Sequence, residues 1–242
     1  MTVSSKQKRF FDDFGYIFLP GLMKEEVGWI TEEYERLFSE SGIVHDGAKR
    51  SSLGHIVEKS ELLCTLLDHP KVDGLLAGLW ETITTIWEAV RICMWKMACG
   101  ILIAMMRRYC RSNGRCIWIN LPFTGALRVV PGSHKQGWVG NLDTESLWGV
   151  GMEEVPCVAP DNEPGDVMVF NLETLHNSLG GGRRRRMLNM VACAACRTEE
   201  EIIFLKRRIP KTRTELQWEI MRNTAPPQRL RRLNQLWKVL GS

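Results

Sequence analysis

The chain has 242 residues, 44% hydrophobic and 25% charged, a balance that excludes disordered, collagen-like and coiled-coil chains and predicts a single globular domain over 1–242. Lys and Arg number 32 against 28 Asp and Glu, too small a surplus to suggest a nucleic-acid partner. The longest apolar run, Ala98 to Met106, is nine residues, where a membrane span needs about 20. The polar start Met1 to Arg9 lacks the apolar core of a secretory signal, so a cytoplasmic protein is expected.

In chain order, residues 5–40 read as an extended segment and then a helix. Tyr16 to Leu19 is a short strand closed by Pro20-Gly21, and Lys24 to Ser39 carries Val27, Ile30, Tyr34 and Leu37 at helical spacing. A second helical stretch covers about 59–80, with Pro70 splitting it. From residue 117 the texture changes to short apolar runs bounded by turn residues: Ile117 to Leu121, Ala126 to Val130, Asp166 to Phe170 and Met187 to Ala195. Such punctuation predicts an all-β sandwich or barrel. Gln228 to Leu240 places Leu230, Leu233, Leu236, Trp237 and Leu240 on one side of a docked helix. Helices first and strands afterwards predict an α+β or jelly-roll domain.

The eight cysteines read mostly as buried thiols of an intracellular chain. Cys193-x-x-Cys196 has no second pair to complete a zinc site, and reads as small residues in a strand. The basic clusters Arg183–Arg186, Lys206–Arg208 and Arg229–Arg232 carry no interleaved aromatics, which argues against single-stranded nucleic acid as ligand.

Three segments carry a resemblance. They are Phe14-Gly15-Tyr16-Ile17 with Pro20-Gly21-Leu22; Thr124-Gly-Ala-Leu-Arg-Val-Val-Pro-Gly-Ser-His-Lys135; and Pro164-Gly-Asp-Val-Met-Val-Phe170 running on to Leu175-His176-Asn177-Ser178 and the arginine run. In this order and spacing the chain from about 10 to 200 resembles the phytanoyl-CoA dioxygenase family of iron- and 2-oxoglutarate-dependent oxygenases. The resemblance implies a mainly β fold with flanking helices, a double-stranded β-helix (jelly roll, cupin-like). It also implies Fe(2+) and 2-oxoglutarate as cofactors, and a small organic molecule as the substrate that is oxidised. By the same resemblance His176 matches the distal metal ligand, and Arg185 or Arg186 matches the arginine that binds the far carboxylate of 2-oxoglutarate, a task suited to a planar, permanently charged fork. Strand alternation puts Arg184 and Arg186 on one face and Arg183 and Arg185 on the other. His134, in the Pro-Gly-Ser-His turn, reads as scaffold.

The other half of a 2-His-1-carboxylate triad is missing. The family takes it from a His-x-Asp or His-x-Glu upstream of the Gly-Ala-Leu-Arg strand. This chain has no histidine between His69 and His134, and no acid between Glu88 and Asp143. Residues 80–120 instead form a Met-, Cys-, Arg- and Trp-rich stretch. When codons are read from the third base of one residue and two bases of the next, Met94-Trp95 gives Val, Trp95-Lys96 gives Glu and Met97-Ala98 gives Gly. Cys99-Gly100 gives Trp or Arg, and Gly100-Ile101 and Leu102-Ile103 each give His, Asp, Asn or Tyr. The shifted frame thus permits Val-Glu-x-Gly-x-Trp-His-x-Asp, the family's metal segment. Further on, Cys116-Ile117 gives Tyr or His and Trp118-Ile119 must give Asp. The expectation is that residues 80–120 are translated out of frame, fit the core badly, and leave the protein inactive or impaired as written. The alternative is a non-catalytic jelly roll serving as a binding or interaction scaffold.

Overall fold

The computed structural model describes residues 2–43, 53–79, 85–90, 115–120, 127–136, 143–151, 154–178, 186–193, 198–200, 202–203 and 216–240. Ser4 opens the first helix, α1 (Ser5–Phe14), with a capping box. Its Oγ accepts from the Gln7 amide at 3.2 Å, and the Gln7 side chain accepts from the Ser4 amide at 2.9 Å. Gly15 ends the helix with φ +78°, its N–H bonded to the Phe11 carbonyl at 2.8 Å. The segment before Tyr16 is therefore helical, not extended, and the Ser4–Gln7 pair was the legible signal for it.

β1 (Tyr16–Leu19) has the predicted bounds. α2 (Val27–Glu40) starts three residues later than expected from its apolar spacing, because residues 21–26 are drawn into turns; it buries Ile30, Tyr34, Leu37 and Phe38. α3 (Glu61–Cys64) and α4 (Pro70–Leu79) are separated by a 3-10 turn, Thr65–Leu67. Pro70 sits at the first helical position, where its missing N–H leaves no bond unmade.

Two antiparallel sheets follow. The larger has the order β1-β5-β3-β7-β2, with β2 Thr85–Val90, β3 Arg115–Asn120, β5 Val167–Asn171 and β7 Met187–Cys193. The smaller pairs β4 (Leu127–Val129) with β6 (His176–Ser178), setting Val129 opposite His176. Alternation divides the strands between two cores. Ile17, Leu19, Val167, Val169, Leu188 and Met190 pack against the helices. Tyr16, Met168, Phe170 and Met187 face the other way and pack with Leu127 and Val129 of the smaller sheet. This two-sheet body with helices on one face is the helix-flanked α+β arrangement the sequence suggests, but among the described residues helix outweighs strand, so it is not mainly β.

β2 and β3 both come from the 80–120 stretch, and β3 is central, paired in register with β5 and β7. At its two ends this stretch thus pairs with the rest of the larger sheet. Ile117, Trp118 and Ile119 are strand-forming residues whatever frame produced them. The segment 91–114, which spans the positions of the shifted-frame His-x-Asp, lies outside the described residues.

α5 (Thr144–Trp148), α6 (Leu216–Asn223) and α7 (Pro227–Leu240) complete the elements; α7 is the C-terminal helix expected from the leucine spacing. Among the described residues no helix is long and apolar enough to cross a membrane.

Candidate functional site

The sequence segments that carry the resemblance meet at one place, and most of their residues hold the backbone there. Gly15 accepts two hydrogen bonds at its carbonyl, from the Asn171 amide at 2.8 Å and the Thr174 hydroxyl at 2.9 Å. The Pro-Gly-Ser-His turn closes over the same point. The Gly132 amide donates to the Phe14 carbonyl at 2.9 Å, and the Leu175 amide donates to Ser133 Oγ at 2.8 Å. Ser133 Oγ in turn donates to the Val130 carbonyl at 2.7 Å, while the Val130 amide donates to the Leu175 carbonyl at 2.8 Å. A Cβ at Gly15 would stand 2.4 Å from His134 Nδ1 and 2.5 Å from Thr174 Oγ1, so only glycine admits this closure. His134 Nε2 donates to the Asp12 carbonyl at 3.1 Å, which ties the turn to α1.

This framework fixes the start of β6 and with it His176. The His176 ring lies against Phe170, centroids 4.6 Å apart and tilted by 50°, on the face between the two sheets. Its Nδ1 is 2.7 Å from the Thr174 carbonyl, which can only accept, so Nδ1 carries the proton and Nε2 presents its lone pair. Burial pushes the ring's pKa down, partly offset by the Thr174 hydrogen bond, and the imidazole is neutral at pH 7. A neutral ring with one nitrogen held by a carbonyl and the other offered as a donor is the form in which histidine binds a metal.

Arg186 is not brought beside His176. It shares its parity with Leu188 and Met190 and forms a half-buried ion pair through Nε with Glu35 of α2. Arg185 lies outside the described residues. Glu35 gave no sequence signal as the partner of Arg186, because 151 positions separate them. Among the described residues no group of three or more His, Cys, Asp or Glu is placed to hold a metal ion. Across 91–114 and its flanks the sequence offers no histidine from 70 to 133 and no acid from 89 to 142.

The described cysteine side chains offer no second metal centre. Cys64 is buried, its pKa pushed up to about 12 by desolvation, and its thiol donates to the Val57 carbonyl at 3.2 Å. Cys157 is exposed. Cys93, Cys99, Cys110 and Cys196 lie outside the described residues.

One inward residue escaped the sequence reading. Asn189 of β7 is only 4% exposed, and its Oδ1 is buried with no hydrogen-bond partner among the described residues. A single polar side chain in the apolar run Met187-Leu-Asn-Met-Val-Ala192 was the available signal.

No family model matches the chain, and no curated protein matches its sequence. Solved structures do resemble it. The non-heme alpha ketoglutarate dependent carbocyclase SnoK from nogalamycin biosynthesis superposes with a TM-score of 0.63 at 21% identity, over 79% of this chain and 84% of that one. The epimerase SnoN, in complex with Fe3+, alpha ketoglutarate and nogalamycin RO, gives 0.63 at 18% identity, over 87% and 91%. EctD from S. alaskensis, with 2-oxoglutarate and 5-hydroxyectoine, gives 0.63 at 21% identity, over 80% and 77%. The chain shares the fold of these non-heme, 2-oxoglutarate-dependent enzymes.

Proposed function

We propose that this chain is a double-stranded β-helix protein of the Fe(II)/2-oxoglutarate oxygenase class, of phytanoyl-CoA dioxygenase type, built to oxidise a small organic molecule. In the sequence as written it is impaired, because two of three iron ligands are absent. The observation that carries this reading is His176: a neutral imidazole between the sheets, its Nδ1 proton held by the Thr174 carbonyl and its Nε2 left to coordinate. Ferrous iron and 2-oxoglutarate supply oxidative decarboxylation to succinate and CO₂ in that class. The chain's own part is to orient His176 through the Gly15–Ser133–Thr174 framework and to exclude water with the Phe170 and Leu127–Val129 core. For the far carboxylate of 2-oxoglutarate, Arg185 is preferred over Arg186. Arg186 pairs with Glu35 on the helix side, which leaves Arg185 as the other arginine the resemblance offers.

The frame reading completes this proposal: the shifted frame across residues 100–103 permits the missing His-x-Asp. A second reading, a non-catalytic jelly-roll scaffold, is favoured by one observation, the pairing of both β2 and β3, from the same stretch, with β7. The expected outcome for the purified chain, given ferrous iron, ascorbate and candidate small molecules, is no succinate above background. An iron-dependent succinate signal that vanishes in His176→Ala would show that the chain is complete as it stands. Genomic DNA and transcript across codons 78–125 separate the two readings, since an in-frame His-x-Asp there supports the enzyme and its absence the scaffold.

A further inference from the structure

We infer that Asn189 is a ligand-contacting residue whose Oδ1 accepts a hydrogen bond from a hydroxyl group of a small molecule held between the two sheets. This rests on the reading above that a small molecule binds on that face, and it adds a substrate class, alcohols. The starting observation is energetic. Asn189 is 4% exposed, between neighbours Leu188 and Met190 that are 0% and 2% exposed, and its Oδ1 meets no donor among the described residues. A buried acceptor without a partner costs free energy that an apolar side chain of the same size avoids, so its presence in an apolar strand calls for a cause.

Placement supplies the cause. Leu188, Met190 and Ala192 belong to the helix-side core, whereas Met187 packs with Met168 and Phe170 between the sheets. Alternation therefore puts Asn189 on the face of Met187, toward the smaller sheet that carries His176. The register gives the separation: Phe170 pairs with Cys116, and Trp118, two residues further on, pairs with Asn189. Phe170 and Asn189 are thus two strand spacings across and two residues along, about 12 Å apart. The His176 ring rests on Phe170, so His176 and Asn189 belong to the same face between the sheets. An acceptor distinguishes among ligands: 2-oxoglutarate, ionised, has no donor to offer it, whereas an alcohol does.

The test uses the full chain and matched probes that differ only in the donor: cyclohexanol with methoxycyclohexane, benzyl alcohol with benzyl methyl ether, and phenol with anisole, followed by ligand-observed NMR titration. At least one alcohol is expected to bind about tenfold tighter than its ether, the size of one hydrogen bond. Asn189→Leu should erase that preference, and Asn189→Ala provides the same comparison if the leucine variant does not fold. No alcohol preference in the unsubstituted chain, or a preference undiminished in both variants, overturns the inference and leaves a buried water as the partner of Oδ1. Iron binding by the frame-restored chain is measured separately. Restored iron binding without the alcohol preference defeats only the Asn189 assignment, and the preference without iron binding defeats only the oxygenase reading.

Discussion

Gly165 and Asp166 show how a motif conserves geometry through two adjacent side chains of opposite kinds. Gly165 has φ +91°, and a Cβ there would stand 2.7 Å from Lys24 Cα, while its carbonyl accepts from the Met23 amide at 2.8 Å. Asp166, 5% exposed, accepts from the Gly21 amide at 2.6 Å through Oδ1 and from the Glu163 amide at 2.7 Å through Oδ2. The Pro-Gly-Asp turn thus pins the Pro20-Gly21 turn and so aligns β1 on β5. Gly165→Ala meets both a strained dihedral and a backbone clash, and urea unfolding should show a loss of about 3 kcal/mol. Asp166→Ala leaves amide donors unpaired at two turns and should cost about 2–4 kcal/mol by the same measurement. A loss below about 0.5 kcal/mol in either variant, the level of ordinary surface substitutions, would contradict these roles.

Helix α7 is held by more than its leucines. Arg229, 2% exposed, is bonded through Nε to Asp68 Oδ2 at 2.8 Å and through an Nη to Thr224 Oγ1 at 3.0 Å, with a second Nη bond to Asp68. Removing one partner of a buried pair strands the other charge, so Arg229→Leu should destabilise by about 3–5 kcal/mol. Adding Asp68→Leu should recover much of that loss in a double-mutant cycle; additive losses would mean the pair is not coupled. The C-terminal helix itself was legible from its leucine spacing, and β1 from its apolar run between Gly15 and Pro20. β6 was not, since three residues carry no period and the strand exists only through pairing with β4. Nor was β2, which lies in a stretch read as foreign to the fold. His176 was legible only because three motifs occur in a fixed order, whereas Asn189 and the Arg186–Glu35 pair depend on which face each strand turns to the helices, which spacing alone does not assign.

On the proposed reading the molecule as a whole combines an ordered scaffold with an incomplete donor set. The motif residues at 14–22, 130–134 and 164–176 interlock, and the proposed deficit is confined to ligands expected from one segment. Such a division is what a local change of reading frame produces, because residues on either side keep their mutual consistency. The direct test is thermal stability measured with and without ferrous iron plus 2-oxoglutarate, on the chain as written and on one in which residues 80–119 are replaced by the shifted-frame translation of the same DNA. In the restored chain a histidine and an aspartate two residues apart share one face of a strand and join His176 about one metal. Stabilisation of about 2.7 kcal/mol is expected in the restored chain at a hundredfold excess over the dissociation constant, and none in the original. Equal responses from the two chains would contradict the missing-ligand account and leave residues 80–120 as a genuine part of a non-catalytic protein.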